Sequence, residues 1–181
     1  MDIYKLKWTR LQNEIFRFLC IKSGSKLNQR GIAKALNVSP TAVSKALQLL
    51  KKEDIIKYAK EPLMNLVSIE LNREDTQVVS LKRAENLKMI YESRLFQFLY
   101  DSLPGATIVL FGSYSFGEDT TTSDIDIAAI GTKRKEINLK EYEKILDREI
   151  VINYYSSLKE IKSELRNNIL NGIILKGSVE I

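Results

Sequence analysis

Two aspartates one residue apart, Asp124 and Asp126, follow a Gly112-Ser113 pair across ten intervening residues, in a stretch reading IVLFGSYSFGEDTTTSDIDIAAI. An apolar run at 106–111 predicts a buried strand that stops at the turn-prone glycine and serine. The aspartates fall on a second strand. Residues two apart share a strand face, so Asp124, Asp126 and Ala128 lie on one side and Ile125, Ile127 and Ala129 on the other. Such a sheet buries the isoleucines and directs both carboxylates into a cleft. Two carboxylates about 5 Å apart repel by about 3 kcal/mol at an effective dielectric of about 20. A divalent cation between them reverses that sign. Hard oxygen ligands suit Mg²⁺ or Mn²⁺, whose shell substrate phosphates commonly complete. Gly112 permits close backbone approach, and Ser113 adds a hydroxyl at the head of a short helix facing a phosphate. Gly117 ends that helix. An Asp-x-Asp alone is ordinary on a solvated strand; the signal lies in its combination with the upstream glycine and serine.

That combination resembles the signature of the minimal nucleotidyltransferases of the polymerase-beta-like superfamily, over about 106–155 of the chain. The resemblance implies transfer of a nucleoside monophosphate, AMP from ATP, to a hydroxyl with two Mg²⁺ or Mn²⁺ ions. Asp124 and Asp126 would hold the metals, and Gly112 and Ser113 the triphosphate. Members usually carry a third carboxylate on the neighbouring strand. The aligned residue here is Val151, so Glu149, on the same strand face, is taken as the third catalytic acid; Asn153 could ligate but not act as a base. The same motif occurs in antitoxins that adenylylate a tyrosine of a partner toxin. Those toxins use an Arg/His motif, and this chain has no histidine, so a toxin would be a separate chain. Small molecules and RNA ends are the other acceptors. The competing reading is a degenerate, non-catalytic domain kept as a sensor or dimerisation module.

Several elements must position these residues. The pattern predicts a helix at 139–146 with Leu139, Tyr142 and Ile145 inward, and a strand at 149–154. A helix at 156–170 follows, capped by Ser156 or Ser157 and ended by Asn171-Gly172. Upstream, 76–99 reads as one long connector helix with Leu81, Ala84, Leu87, Tyr91, Leu95 and Phe98 near a period of 3.5. That stripe serves either an intrachain linker or a homodimer seam. Pro104-Gly105 stops it.

The front of the chain has a different pattern. A helix at 9–22 starts on Thr9 and turns Leu11, Ile15, Phe18 and Leu19 inward, with Cys20 a small buried side chain. Helix 28–36, turn 37–39 and helix 40–52 follow, the last with Ser39 as N-cap and Pro40 at its first position. Ile32, Ala33, Leu36 and Val38 face Val43, Ala46, Leu47 and Leu50. Strands at 55–58 and 66–71 enclose a wing, 59–65, with Lys60 at its tip. Over 27–57 this segment resembles the winged-helix regulators, which implies double-stranded DNA as partner. Pro40, Thr41, Ser44 and Lys45 would then read bases, and Arg30, Lys51 and Lys52 would meet phosphate.

Charge supports the division. Residues 1–72 hold 13 basic and 6 acidic side chains, 73–103 hold 5 and 5, and 104–181 hold 10 and 12. A basic front suits a polyanion and an acidic back suits a metal site. The absence of histidine excludes a histidine base, a Ser-His-Asp triad and histidine-ligated metal. No apolar run is long enough to span a membrane, and the first residues lack a signal-peptide core, so a cytoplasmic protein is expected. One cysteine allows no internal disulfide. The expected architecture is α+β: an archaeal-type fusion of a winged helix-turn-helix (1–72), a long connector helix (73–103) and a polymerase-beta-like nucleotidyltransferase domain with a mixed sheet (104–181).

Overall fold

Side-chain caps set the helices of the first unit. In the computed structural model, which describes residues 8–61 and 66–179, the chain divides into two compact units, Met1–Val79 and Ser80–Ile181. Helix α1 (Arg10–Ile21) opens on a capping box: Thr9 accepts from the Gln12 backbone, and the Gln12 side chain accepts from the Thr9 N–H at 2.7 Å. Ile15, Phe16, Leu19 and Cys20 are buried. Leu11 and Phe18, expected inward, are only half-buried. Phe16 takes the core position, with Trp8 packed on it at 5.0 Å between ring centroids.

Helix α2 (Gln29–Ala35) is capped by Asn28, whose side chain accepts from the Gly31 N–H at 2.8 Å. Helix α3 (Pro40–Lys52) is capped by Ser39, accepting from Ala42 at 3.2 Å. Ile32 and Ala33 of α2 and Val43, Ala46, Leu47 and Leu50 of α3 are buried, as the spacing requires. Strands β1 (Ile56–Glu61) and β2 (Leu66–Leu71) pair antiparallel. β1 runs on past Tyr58 because the ladder continues through Ala59↔Ser68, Lys60↔Val67 and Glu61↔Leu66. Lys60 is therefore a strand residue opposite Val67 rather than the tip of the wing. Its side chain, and residues 62–65 of the expected wing, lie outside the described residues.

The expected connector helix is two helices, α4 (Thr76–Glu92) and α5 (Leu95–Ser102), broken at Arg94, whose φ is +63°. The buried face of α4 also differs from its apolar stripe. Val78, Lys82, Asn86, Met89 and Ile90 are buried, whereas Ala84 and Tyr91 are exposed. Polar partners, described below, draw Lys82 and Asn86 inward. Of the stripe expected along 81–98, Leu95 is buried, Leu81, Leu87 and Phe98 are half-buried, and Ala84 and Tyr91 are exposed.

The second unit is built on a four-stranded mixed sheet of β3 (Thr107–Phe111), β4 (Ile125–Ile130), β5 (Ile150–Tyr155) and β6 (Ile173–Lys176), in the order β5-β4-β3-β6. β4 and β5 are parallel; β3 runs antiparallel to β4 and β6. The C-terminal apolar run is thus the edge strand β6. Helix α6 (Gly112–Phe116) leaves β3 directly and closes on Gly117. In α7 (Lys140–Leu146), Leu146 is buried and Ile145, expected inward, is 53% exposed. The helix expected at 156–170 is interrupted: a 3₁₀ turn (Leu158–Glu160), an extended Ile161, then α8 (Ser163–Leu170). Ser157 stands at the N-cap of the 3₁₀ turn without a side-chain capping bond, Lys162 precedes α8, and Ser156 donates to the Glu160 carboxylate at 2.7 Å. The break lets Leu158, Ile161 and Ile169 converge on Val109, Phe111 and Ala128. The sheet face carrying Asp126 is therefore covered at Ala128, and only its Asp126 end can take part in a cleft. Among the described residues no helix is long and apolar enough to cross a membrane.

Candidate functional site

The register of β3 and β4 sets Phe111 beside Asp126, so the chain turns into α6 at the point where the carboxylate stands. Gly112 has φ +71°, a conformation that disfavours any residue with a side chain. A β-carbon on Gly112 would lie 2.5 Å from Asp126 Oδ2, so the aspartate is packed against the glycine backbone. The Ser115 hydroxyl donates to the Gly112 carbonyl at 2.8 Å and holds the turn. The Ser113 hydroxyl makes no hydrogen bond among the described residues.

Asp124 is exposed and directly precedes β4; Asp126 is half-buried within it. Burial, and then the charge of Asp124, push the Asp126 carboxyl above its ordinary range. Neither carboxylate has a hydrogen bond or ion pair among the described residues. Two mutually repelling acids with no counter-charge paired to them among the described residues fit a bound cation. Among the described residues no three His, Cys, Asp or Glu side chains gather as a metal-holding group. A cation held by the pair needs further oxygen ligands, and substrate phosphates can supply them.

Glu149 immediately precedes β5 as Asp124 precedes β4, and its carbonyl accepts from the Ile125 N–H at 2.8 Å. Its side chain is exposed. Glu149 and Asp124 line one cleft of about 560 Å³ with Glu143, Asp147, Arg148 and the Thr121–Ser123 stretch. Val151 is in register beside Asp126, and Asn153 beside Ala128. The structure thus sets Asp126 against Gly112 with the charge of Asp124 acting on it, leaves Ser113 next along the turn, and places Glu149 with Asp124 on a cleft whose lining includes neither Asp126 nor Gly112.

Sequence reasoning missed a buried cluster beside this site. Asp119, in the loop before Asp124, is fully buried. It is ion-paired to the buried Lys82, contacts Arg148 Nη2 at 3.3 Å and accepts from Asn86 at 2.7 Å. By hydropathy, Lys82 falls between the apolar positions Leu81 and Ala84 of the expected 76–99 helix. The available signal was its spacing with Val78, Asn86, Met89 and Ile90, which places all five on one helical face.

In the first unit, Arg30, Pro40, Thr41 and Lys45 are exposed and Ser44 is half-buried. Thr41, Ser44, Lys45 and Gln48 recur at helical spacing opposite the buried Val43, Ala46, Leu47 and Leu50, so α3 offers one polar face. The Gln29 side chain donates to the Pro40 carbonyl at 2.8 Å and fixes α2 to the start of α3. Lys51 lies 4.9 Å over the Tyr58 ring, away from the Thr41–Lys45 end of the helix.

Residues 19–57 match the family model described as winged helix-turn-helix DNA-binding, and residues 92–178 match that of the nucleotidyltransferase domain. No curated protein matches the chain. Among solved structures, a mutant of Lactococcus lactis ZitR is 23% identical over 55% of this chain, with a TM-score of 0.43; the alignment covers 64% of the ZitR chain. The adhesin competence repressor AdcR of Streptococcus pyogenes is 22% identical over 57% of this chain and 72% of its own, with a TM-score of 0.44. MepR, a transcription regulator of the Staphylococcus aureus multidrug efflux pump MepA, is 24% identical over 55% and 68%, with a TM-score of 0.41. These likenesses are too low to bear on function. On the two domain matches, together with the strand–Gly-Ser–Asp-x-Asp geometry, the chain is a winged helix-turn-helix domain joined to a domain of the nucleotidyltransferase family.

Proposed function

We propose that the second unit transfers AMP from ATP to a hydroxyl acceptor, and that the first unit binds double-stranded DNA. One observation carries the transferase reading: the Asp126 carboxylate lies against the backbone of Gly112, with the charge of Asp124 acting on it and, among the described residues, no cation paired with either. Asp124 and Asp126 would hold Mg²⁺ or Mn²⁺, which when bound neutralises the triphosphate and polarises its phosphorus–oxygen bonds. The Gly112 backbone and the Ser113 hydroxyl bind phosphate oxygens. The acceptor oxygen bonds to the α-phosphorus as the bond to the bridging oxygen of the leaving pyrophosphate breaks. The hydroxyl proton passes to a base. Glu149, exposed on the cleft that Asp124 lines, is the carboxylate we assign to that task; Val151, in register beside Asp126, cannot perform it.

The acceptor we propose is a tyrosine hydroxyl on a separate partner protein, a toxin, with this chain as its antitoxin; this rests on the family resemblance. A second reading has one observation in its favour. The strand position beside Asp126 holds Val151 instead of an acid, as suits a winged-helix regulator with a non-catalytic sensor or dimerisation module.

Incubation with ATP labelled at the α-phosphate, Mg²⁺ and proteins of the source cell separates the two. Transfer that disappears in Asp124→Ala/Asp126→Ala supports the enzyme. No transfer by either protein, with DNA binding intact, supports the regulator. Transfer that survives the double substitution removes the site assignment.

A further inference from the structure

We propose that Lys82 and Asn86 of α4 are positioning residues for this site, acting through the buried carboxylate of Asp119. The proposal rests on the transferase reading for its purpose and on hydrogen-bond geometry for its evidence. One carboxylate gathers three partners: Lys82 and Asn86 on Oδ1, Asn86 at 2.7 Å, and Arg148 on Oδ2 at 3.3 Å. From that centre, ties run to all three segments that carry site residues. Asn86 also donates to the carbonyl of Tyr114, the residue after Ser113, at 2.9 Å. Asp119 leads into a turn bonded to itself: the Thr120 N–H donates to the Ser123 hydroxyl at 3.0 Å, and the Ser123 N–H to the Thr120 carbonyl at 3.1 Å. Only that turn separates Asp119 from Asp124. Arg148 directly precedes Glu149, whose carbonyl holds the N–H of Ile125, the residue between the two aspartates.

Apolar side chains of similar volume commonly match or exceed the stability of a buried ion cluster. What they cannot supply is directed bonds that fix several segments at once. Groups that orient metal-holding residues from one step behind are typically worth about 10–100-fold in metal affinity or activity. Two cations and an amide meet on one carboxylate, with Asn86 also bonded to the turn after Ser113 and Arg148 borne by the segment of Glu149, and that is support of this kind.

The test uses the full chain. Lys82→Met leaves Asp119 paired with Arg148 as a neutral ion pair. The triple variant Lys82→Met/Asp119→Leu/Arg148→Met replaces the cluster with apolar groups and serves if the single variant does not fold. Two quantities are read: amide hydrogen exchange across 112–125, and affinity for Mn²⁺ with ATP by electron paramagnetic resonance. The expected result is at least about tenfold faster exchange confined to 112–125 and Mn²⁺–ATP affinity weakened about 10–100-fold, with β3 and β5 protected as before. Wild-type values of both in a folded variant would overturn the proposal. So would failure of both variants to fold, which makes the cluster a stability device. A wild-type protein that binds no Mn²⁺–ATP removes the transferase reading instead, and the exchange data alone then judge the positioning role.

Discussion

The Asp126 carboxylate fills the space that a side chain on Gly112 would need: a β-carbon there would come 2.5 Å from Oδ2. The glycine is thus required twice, by its φ of +71° and by the acid pressed on it. Gly112→Ala is expected to cost about 1–2 kcal/mol from the backbone conformation alone and to push the carboxylate aside. A displacement of about 1 Å at a reacting centre can cost about 100-fold in rate. Thermal denaturation together with AMP transfer should therefore find a folded, slightly weakened protein with transfer down about 100-fold. A folded variant with wild-type transfer would dissociate the turn from the chemistry.

Asp126 also makes stability depend on pH. Burial and Asp124 raise its carboxyl above the ordinary 3.8, so the folded chain holds the proton more tightly than the unfolded chain. Its contribution is fully present below the unfolded value and is lost as pH rises through the folded one. In metal-free protein, Asp126→Asn should melt higher than wild type near neutral pH, with the difference closing toward about pH 3. Added Mg²⁺ with ATP should raise the melting temperature of the wild type and leave the variant unmoved. Melting curves across pH, with and without Mg²⁺–ATP, check both signs.

Glu149→Gln keeps the shape and removes the base. Transfer is expected to fall by about 100-fold or more, with the acidic limb of the pH–rate profile lost and Mn²⁺–ATP affinity close to wild type. If rate and profile are unchanged, the proton goes elsewhere. A gain in rate on Val151→Asp would then identify the missing acid by its strand position.

On the first unit, Lys45 and Thr41 stand exposed near the start of α3. If Lys45 meets a phosphate, Lys45→Ala should weaken duplex binding across sequences and lower the salt slope by about one. If it reaches a base edge, the loss should be confined to particular sequences, at about 1–3 kcal/mol. Thr41→Ala should act in the second way. Fluorescence anisotropy at several salt concentrations distinguishes them; binding unaltered by both substitutions would remove α3 as the reading helix.

What could be read in advance followed local rules. Ser39-Pro40 and Thr9 announced their helices because capping is decided by a few adjacent residues. The strand, glycine turn and Asp-x-Asp were legible because period two and a helix-ending Gly117 leave few arrangements. The misses came from tertiary partners. Lys82 and Asn86 are buried because Asp119 awaits them, which no hydropathy pattern records. The single helix expected at 76–99 breaks at Arg94, with no glycine or proline there to mark the break. The helix expected at 156–170 opens at Ile161 so that three apolar side chains reach one sheet face. Asp126 and Ala128 share a face, yet one borders the candidate site and the other lies in a core closed by Leu158, Ile161 and Ile169.

The central claim is that Asp124 and Asp126 together hold a divalent cation on a nucleotide seated at the Gly112 turn. Titration of the metal-free protein with Mn²⁺ and ATP, followed by electron paramagnetic resonance, tests it without knowledge of the acceptor. The account predicts a protein-bound Mn²⁺–ATP signal in the wild type that is lost in the folded Asp124→Ala/Asp126→Ala variant. An equal signal in both proteins, or none in the wild type, would contradict it.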